Sequence, residues 1–357
     1  MKFVNPMGNS YVPNNWLTFN DVLLKPQRSR FKSRNDKEIS LSCYIGANQS
    51  LDIPIISANM DTVTGLHMAK EMSRLGGLGI LHRFYASNSA YMDCIEEVFS
   101  SCNRVSFSIG CGKEWIKFAE NVVAKLGTKD VFICLDVAHG HMEQSIETVE
   151  EISKSKAFVI AGNIATEEGA LDLVEAGAGC LKVGIGSGSV CTTRIVTGHG
   201  VPQLSAIMIV KEALDRNNYY NCGIIADGGI RNSGDMVKAF AAGADAVMLG
   251  SLLAGCAETP GDIRITNGKS YKTYRGQSSR HFLNDIGKIG VASEGESTSL
   301  EYKGHVANIL SEFLGGIRSG LTYSGACDIY DLQRKASFME ISNHAWVESM
   351  PHALIKS

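Results

Sequence analysis

Several features are missing from this sequence of 357 residues, and each absence excludes a class of protein. None of the ten cysteines forms a CxxC pair or has the spacing of metal ligands, so we expect reduced thiols and neither disulfides nor a zinc site. No window approaches about 18 consecutive apolar residues, and the N-terminus is too polar for a secretory signal, so we expect a cytoplasmic protein that does not enter a membrane. The net charge is only −3 (34 basic against 37 acidic residues), which gives no electrostatic footprint for a nucleic acid or a membrane surface.

What the sequence does contain is a rhythm of short apolar runs that alternate with helical patterns. Hydrophobic residues make up 44% of the chain, enough for a large core. Eight strand-like runs lie at 53–59, 78–83, 106–112, 131–140, 157–165, 180–188, 223–229 and 246–253. Helical patterns with a period near 3.6 lie at 65–75, 114–126, 142–155, 168–176, 204–214, 235–242 and 305–319.

A (β/α)8 barrel closes with eight strands that alternate with helices, which is the number found here. The predicted fold class is therefore an α/β TIM barrel in a single domain, 1–357. A doubly wound open sheet is the alternative. It would collect functional residues at one switch point, whereas here polar residues or glycines end nearly every predicted strand. In chain order these are Asn59, Asp61, His82, Arg83, Gly110, Asp136, His139, Asn163, Asp227, Gly228, Gly229, Gly250 and Ser251.

The sequence GIGSGSVCTTRIVTGHG at 184–200, called the cysteine loop here, is predicted to be a catalytic loop that leaves the end of a strand. Its glycines at 184, 186 and 188 would let backbone groups approach a ligand or ion closely. Cys191 lies among glycines and hydroxyl groups, which favours a nucleophile. A cysteine is also commonly a small buried hydrophobe, and the residues alone leave both interpretations open.

The segment 258–304, called the flap segment here, departs from the rhythm of the barrel. It has few apolar runs and many Gly, Ser, Asp and Lys residues, which is typical of a lid or of a disordered excursion. Within it, Glu294 is either a catalytic carboxylate or a solvated loop charge.

A series of motifs in this sequence resembles the IMP dehydrogenase and GMP reductase family. In order they are LTFNDVLLKP, IPIISANMDTVT, CLDVAHGH, AGNIAT, KVGIGSGSVCTTR, IIADGG, VMLGS, YRGQSS and LGGIRSGLTYSGA, and they cover about 17–326. The resemblance implies a (β/α)8 barrel, commonly a homotetramer, whose loop cysteine attacks C2 of a purine nucleotide. The chain has no room for the CBS insert that many of the dehydrogenases carry.

Within that family the flap segment is more similar to the GMP reductases. The dehydrogenases use an Arg followed by Tyr to activate water, but here Arg280 is followed by His281, and the only tyrosine in 277–304 is Tyr302. The resemblance therefore implies NADPH-dependent reductive deamination of GMP to IMP and ammonia through a thioimidate on Cys191. The alternatives are an IMP dehydrogenase without CBS domains, which oxidises IMP to XMP with NAD, and a non-catalytic purine-nucleotide-binding barrel.

The resemblance also implies roles for individual residues. The catalytic residues would be Cys191 as nucleophile, with Thr193 and Glu294 shuttling a proton. The substrate would contact Ser189, Asp227, Gly228, Gly229, Gly250, Ser251, Gln277, Ser278 and Ser279. The cofactor would lie near Asp136, Asn163, His82 and Arg83. A potassium ion would be held by the carbonyl groups of Gly186, Gly188 and Cys191.

Two positions depart from the family pattern. Ser187 occupies the place of a usual proline, and because proline would fix φ there, we expect a looser loop and a weaker cation site. Val291 occupies the place where many reductases have an arginine, which predicts a lost contact to the nucleotide or to the cofactor and bears on the preference for NADPH over NADH.

Overall fold

The computed structural model describes residues 2–46, 49–288 and 290–351. Eight parallel strands form a closed barrel in chain order, with β8 pairing back to β1. They are β1 (Ile55–Ser57), β2 (Leu78–Leu81), β3 (Val105–Ile109), β4 (Val131–Leu135), β5 (Phe158–Ile164), β6 (Cys180–Val183), β7 (Gly223–Asp227) and β8 (Ala246–Leu249). The predicted TIM barrel is confirmed. Each strand overlaps its predicted run and ends before the run does. The remaining residues of each run belong to the loop at the carboxyl end of the strand.

Helices cover the outside of the barrel, as the predicted alternation requires. They are α1 (Leu66–Arg74), α2 (Asn88–Cys102), α3 (Lys113–Leu126), α4 (Glu143–Ser153), α5 (Glu167–Glu175), α6 (Gln203–Arg216), α7 (Ser233–Ala241) and α8 (Val306–Ser324). Several begin at a side chain that accepts a hydrogen bond from the first helical turn: Ser87 caps α2, Thr166 caps α5 and Asn232 caps α7. The helical pattern at 305–319 is confirmed, and the helix continues to residue 324.

The barrel interior is more polar than the apolar runs indicate. All five residues of β3 are buried, and the ring of Phe107 packs against Tyr91 and Phe118 of the covering helices. Neighbouring residues of a strand face opposite sides, so Ser106 and Ser108 face the inside of the barrel. Their hydroxyl groups are buried and have no hydrogen-bond partner among the described residues.

Segments from both ends of the chain pack together beside the barrel. A four-stranded sheet has the order Ser10–Tyr11, Phe3–Val4, Phe338–Glu340 and Val22–Leu24, and a two-stranded sheet joins Cys43–Tyr44 to Ser50–Leu51. A 3-10 helix spans Phe19–Asp21, and the last two helices span Ile329–Lys335 and Asn343–Glu348. No helix within the described ranges is both long enough and apolar enough to cross a membrane.

The flap segment is folded, so the interpretation as a disordered excursion is wrong for its described part. Three antiparallel strands, Arg264–Thr266, Lys269–Arg275 and Ser297–Glu301, form a sheet, and a short helix spans Arg280–Asp285. Arg275 connects this sheet to the barrel, because its guanidinium lies 2.5 Å from the carboxylate of Asp61, just beyond β1. The segment therefore lies over the carboxyl ends of the strands as a packed cover.

Candidate active site

A cavity of about 1090 Å³ lies at the carboxyl ends of the barrel strands, where this fold places its active sites. Such a volume is at the upper end of the usual range for ligand sites. The predicted site residues that line it are Arg83, Asp136, Asn163, Gly186, Gly188, Ser189, Cys191, Thr193, Asp227, Gly228, Gly229, Gly250, Ser251, Gln277, Ser278 and Glu294. Residues from six loops and the flap segment thus meet in one space.

The thiol of Cys191 belongs to a chain of hydrogen bonds that crosses from the cysteine loop to the flap segment. Its Sγ donates to Thr193 Oγ1 at 3.2 Å, and Thr193 Oγ1 donates to Glu294 Oε2 at 2.8 Å. The hydroxyl of Thr193 can rotate, and the carboxylate of Glu294 can take up and release a proton, while the backbone stays in place. The arrangement can therefore carry a proton between the sulfur of Cys191 and the carboxylate of Glu294. Cys191 is half-buried and faces the cavity, which decides against the packed-hydrophobe interpretation.

Backbone contacts fix the position of Glu294. The carbonyl oxygen of Glu294 accepts a hydrogen bond from Thr192 N at 2.9 Å, and Glu296 N donates to Val190 O at 2.8 Å. Between them, Gly295 approaches the cysteine loop so closely that an added Cβ would lie 3.3 Å from both Ser279 N and Val190 O. Glu294 is therefore held against the thiol by main-chain pairing, and it is not a solvated loop charge.

A second cluster lies at the ends of β5, β6 and β7. Asn163 Nδ2 donates to Asp227 Oδ2 and to Gly184 O, both at 2.8 Å. The ammonium group of Lys182, a residue only 3% exposed, donates to Asn163 Oδ1 and lies 3.4 Å from Asp227 Oδ2. Burial alone would lower the pKa of Lys182, but the acidic groups around it, Asp227 foremost with Cys134 and Asp136, together outweigh burial and the pKa is raised. Lys182 is therefore a buried cation that faces an anion across the cavity floor.

Lys182 is not among the site residues predicted from the sequence. The available signal was a lysine in the middle of the apolar strand CLKV, because a charged side chain is rarely fully buried unless it is paired. Tyr274 was also missed. Its side chain is buried, its hydroxyl lies 3.3 Å from Ser189 Oγ, and an added Cβ at Gly250 would come within 3.0 Å of the same hydroxyl.

Arg83 and Asp136 form an ion pair at another edge of the cavity. Arg83 Nε lies 3.1 Å from Asp136 Oδ2, and both side chains are mostly buried. The guanidinium also lies over the rings of Phe84 and Trp115, at 4.5 and 5.5 Å from their centres. Aromatic faces attract cations, so this edge combines a flat apolar wall with fixed charges.

Two predicted site residues do not line the cavity. His82 is buried behind it, where its Nδ1 accepts a hydrogen bond from Phe84 N and its ring stacks on Tyr85 at 4.5 Å. Burial lowers the pKa of His82 to about 4, so the ring is neutral and its proton is on Nε2. Ser279 is also buried, and its hydroxyl caps the helix Arg280–Asp285 by accepting from Phe282 N. Other strand-end residues outside the lining are Asp61, Gly110 and His139.

The turn after β7 suits an anion. Gly228 and Gly229 have φ values of +92° and +77°, which favour glycine and turn successive backbone groups toward the cavity. The hydroxyl-bearing residues Ser189 and Ser251 line the same space. Backbone N–H groups and hydroxyls are typical partners of a phosphate group.

Ser187 anchors the cysteine loop, contrary to the expected loosening. Its hydroxyl donates to Gln203 Oε1 at 2.9 Å and lies 3.3 Å from Asp227 O. The carbonyl oxygens of Gly186, Gly188 and Cys191 are hard ligands suited to potassium. The oxygen of Gly188 already accepts from Cys191 N at 3.1 Å, and a carbonyl oxygen keeps a second lone pair for an ion. The residues present therefore fit the cation.

Comparisons with known proteins connect this geometry to a family. A family model described as the IMP dehydrogenase / GMP reductase domain matches residues 16–352. The chain belongs to the IMP dehydrogenase / GMP reductase family. It is 38% identical to an inosine-5'-monophosphate dehydrogenase of Borreliella burgdorferi, covering 94% of this chain and 96% of that protein. It is also 38% identical to GMP reductase 2 of Homo sapiens, covering 91% of this chain and 94% of that protein.

A solved structure supports the same family and fold. A GMP reductase from Trypanosoma brucei, solved in complex with guanosine 5'-monophosphate, superposes with a TM-score of 0.84 at 27% identity and covers 96% of this chain and 99% of that one. The family comprises oxidoreductases of purine nucleotides. Relatives from both branches are 38% identical to this chain, so overall similarity does not assign it to one branch. The assignment has to come from the residues of the site.

Proposed function

We propose that this protein is a GMP reductase: GMP, NADPH and two protons give IMP, ammonium and NADP+. The observation that carries the proposal is the chain of hydrogen bonds from Cys191 through Thr193 to Glu294, in a site without the Arg–Tyr pair of the dehydrogenases. Arg280 donates to Val291 O and His281 is exposed, and neither lines the cavity. Arg280 and His281 thus do not supply the water-activating pair at this cavity.

The proposed reaction begins with the sulfur. The proton of Cys191 passes through Thr193 to Glu294, and the thiolate adds to C2 of the purine. An amine is a poor leaving group unless it is protonated, so the proton returns along the same path to the 2-amino group as the C2–N bond breaks. The product is ammonia and a thioimidate between Cys191 and C2. NADPH supplies the hydride to C2, and the C2–S bond then breaks to release IMP and the thiolate.

Other parts of the cavity would bind the two ligands. Asp227, which is paired with Lys182, would accept hydrogen bonds from the ribose hydroxyls. The phosphate would lie at Ser189, Gly228, Gly229, Gly250 and Ser251, and the purine edge at Gln277 and Ser278, with Ser279 behind them. Asp136, Asn163 and Arg83, with His82 behind them, would form the nicotinamide side. The carbonyls of Gly186, Gly188 and Cys191 would hold potassium. We also propose a cytoplasmic homotetramer, which rests on the family resemblance.

The deciding experiment is to incubate the protein with GMP and NADPH and to follow the absorbance of NADPH at about 340 nm. GMP-dependent loss of absorbance and release of IMP are expected, and Cys191→Ala should abolish both while nucleotide affinity stays nearly unchanged, because phosphate and ribose contacts come from other loops. A parallel incubation of IMP with NAD tests the second candidate, an IMP dehydrogenase, which the 38% identity to such an enzyme favours. NADH formation there, with no GMP reduction by the folded protein, would refute the proposal.

A further inference from the structure

Gln203 is a buried amide to which neither the family resemblance nor the proposed reaction gives a role. It is the first residue of α6 and is 3% exposed. Its Nε2 donates to Val183 O at 2.8 Å, and its Oε1 accepts from the hydroxyl of Ser187 at 2.9 Å. Both polar atoms of the amide are used, so the side chain has one orientation. It connects the last residue of β6 to the cysteine loop.

The same contact places the cysteine loop against the turn that carries Asp227. The hydroxyl of Ser187 lies 3.3 Å from Asp227 O. An added Cβ at Gly184 would lie 1.9 Å from Asp227 O, and one at Gly228 would lie 2.6 Å from Ser187 Oγ. The two backbone segments are thus as close as glycine permits. Asn163 joins them at Gly184, and farther along the cysteine loop Ser187 contacts the Asp227 turn while the amide of Gln203 ties Ser187 to Val183 of β6.

We propose that Gln203 is a positioning residue that, through Ser187, fixes the distance between the Cys191 nucleophile and the Asp227 turn. A nucleophilic attack requires the reacting atoms to be held in register, and a displacement of about 1 Å costs on the order of 100-fold in rate. Cys191 and Asp227 lie on different loops. Their separation depends on whatever joins those loops, and the Ser187–Gln203 pair joins them at their bases, four residues before the thiol.

The test is a double-mutant cycle with Ser187→Ala, Gln203→Leu and the double variant. Since both single changes break the hydrogen bond between Ser187 and Gln203, each should lower kcat/KM by about tenfold or more, and the loss in the double variant should be clearly smaller than the product of the two single losses. KM for GMP should change less than kcat. Ser187→Thr keeps the hydroxyl and should restore most of the activity. An additive loss in the double variant would mean that the two residues act independently, and the proposal would fail.

The kinetic test of this inference rests on the proposed function. A second measurement tests the inference without it. Alkylation of Cys191 by iodoacetamide, followed by peptide mass spectrometry, needs no turnover. Its rate should rise about threefold or more in Ser187→Ala and Gln203→Leu, and stay unchanged in Ser187→Thr. Ser153→Ala is the matched control, because that hydroxyl joins α4 to Ala176 O at the opposite end of the barrel.

If the alkylation rates change as expected and GMP is not reduced, the proposed function fails and the inference stands. Unchanged alkylation in both single variants overturns the inference, and if Gln203→Leu does not fold, Ser187→Ala and Ser187→Thr still decide it.

Discussion

The two halves of the site are built differently. Asp227 and Asn163 lie at the carboxyl ends of barrel strands and Lys182 lies within one, and each contacts the others within a packed floor. Glu294 instead comes from the flap segment, 101 residues after Thr193 in the chain, and a few main-chain hydrogen bonds hold it in place. The barrel half has positions set by the whole fold, whereas the flap half depends on docking. We infer that the first half chiefly binds the nucleotide and the second chiefly carries out chemistry.

The largest effect is expected from Glu294→Gln, which tests the flap half. An amide cannot carry the proton to the leaving amine, so kcat should fall by about 100- to 10,000-fold while the Kd for GMP stays within about twofold. Deamination should then limit turnover, so the isotope effect on kcat with NADPH deuterated at the transferred position should approach unity. The control is Glu296→Gln, an exposed neighbour whose backbone contact to Val190 remains. A loss of GMP affinity as large as the loss of kcat would contradict the division of roles.

Lys182→Met tests the barrel half. The change leaves Asp227 and Asn163 without their buried cation, and breaking such a pair costs about 3 kcal/mol of unfolding free energy, measured by urea denaturation. The Kd for GMP should rise by about tenfold or more. Lys272→Met is a matched control, since Lys272 is equally buried, at 3% exposed, but its hydrogen bonds to the described residues go to backbone carbonyls in and beside the flap segment. If both variants weaken GMP binding equally, the effect of Lys182 is one of general stability.

A smaller effect is expected from the two ion pairs of Arg275, of which the one with Asp61 joins the flap segment to the barrel and the one with Asp285 lies within the segment. Arg275 contacts Asp61 and Asp285 at 2.5 Å each, but the Asp61 side chain is 12% exposed and that of Asp285 is 50% exposed. Exposed pairs contribute about 0–1 kcal/mol. Asp61→Asn should therefore lower kcat/KM several-fold and speed proteolysis within 258–304, while Asp285→Asn should change neither by more than about twofold. Equal effects of the two variants would show that the Arg275–Asp61 ion pair does not dock the flap segment on the barrel.

Periodicity predicted the barrel because each strand and helix carries its own local signal. The polar residues at strand ends predicted where the site lies, since all parallel strands of a barrel end on one face. The sequence could not predict which of two neighbouring residues faces the cavity. Arg83 lines the cavity and His82 does not, although they are adjacent in the chain. The sheet of the flap segment was missed because its two outer strands are largely exposed and the central strand, Lys269–Arg275, carries no apolar run.

Contacts between distant residues were also beyond sequence reasoning. The role of Ser187 could not be read from its neighbours, because its partner Gln203 lies 16 residues away and Asp227 lies 40 away. Replacing proline removes a constraint on φ, but a hydroxyl adds a hydrogen bond that only the folded arrangement supplies. The first effect alone predicts a looser loop, and the hydrogen bond reverses that prediction.

The distance along the chain between the thiol and its carboxylate also has a consequence for synthesis. Cys191 leaves the ribosome about a hundred residues before Glu294, so every growing chain carries the reactive sulfur before the acid that completes it. If the proposed reaction holds, a chain made as far as Cys191 has the thiol but lacks the acid that would protonate the leaving amine. Under that proposal, activity requires the flap segment to be synthesised and docked on the barrel.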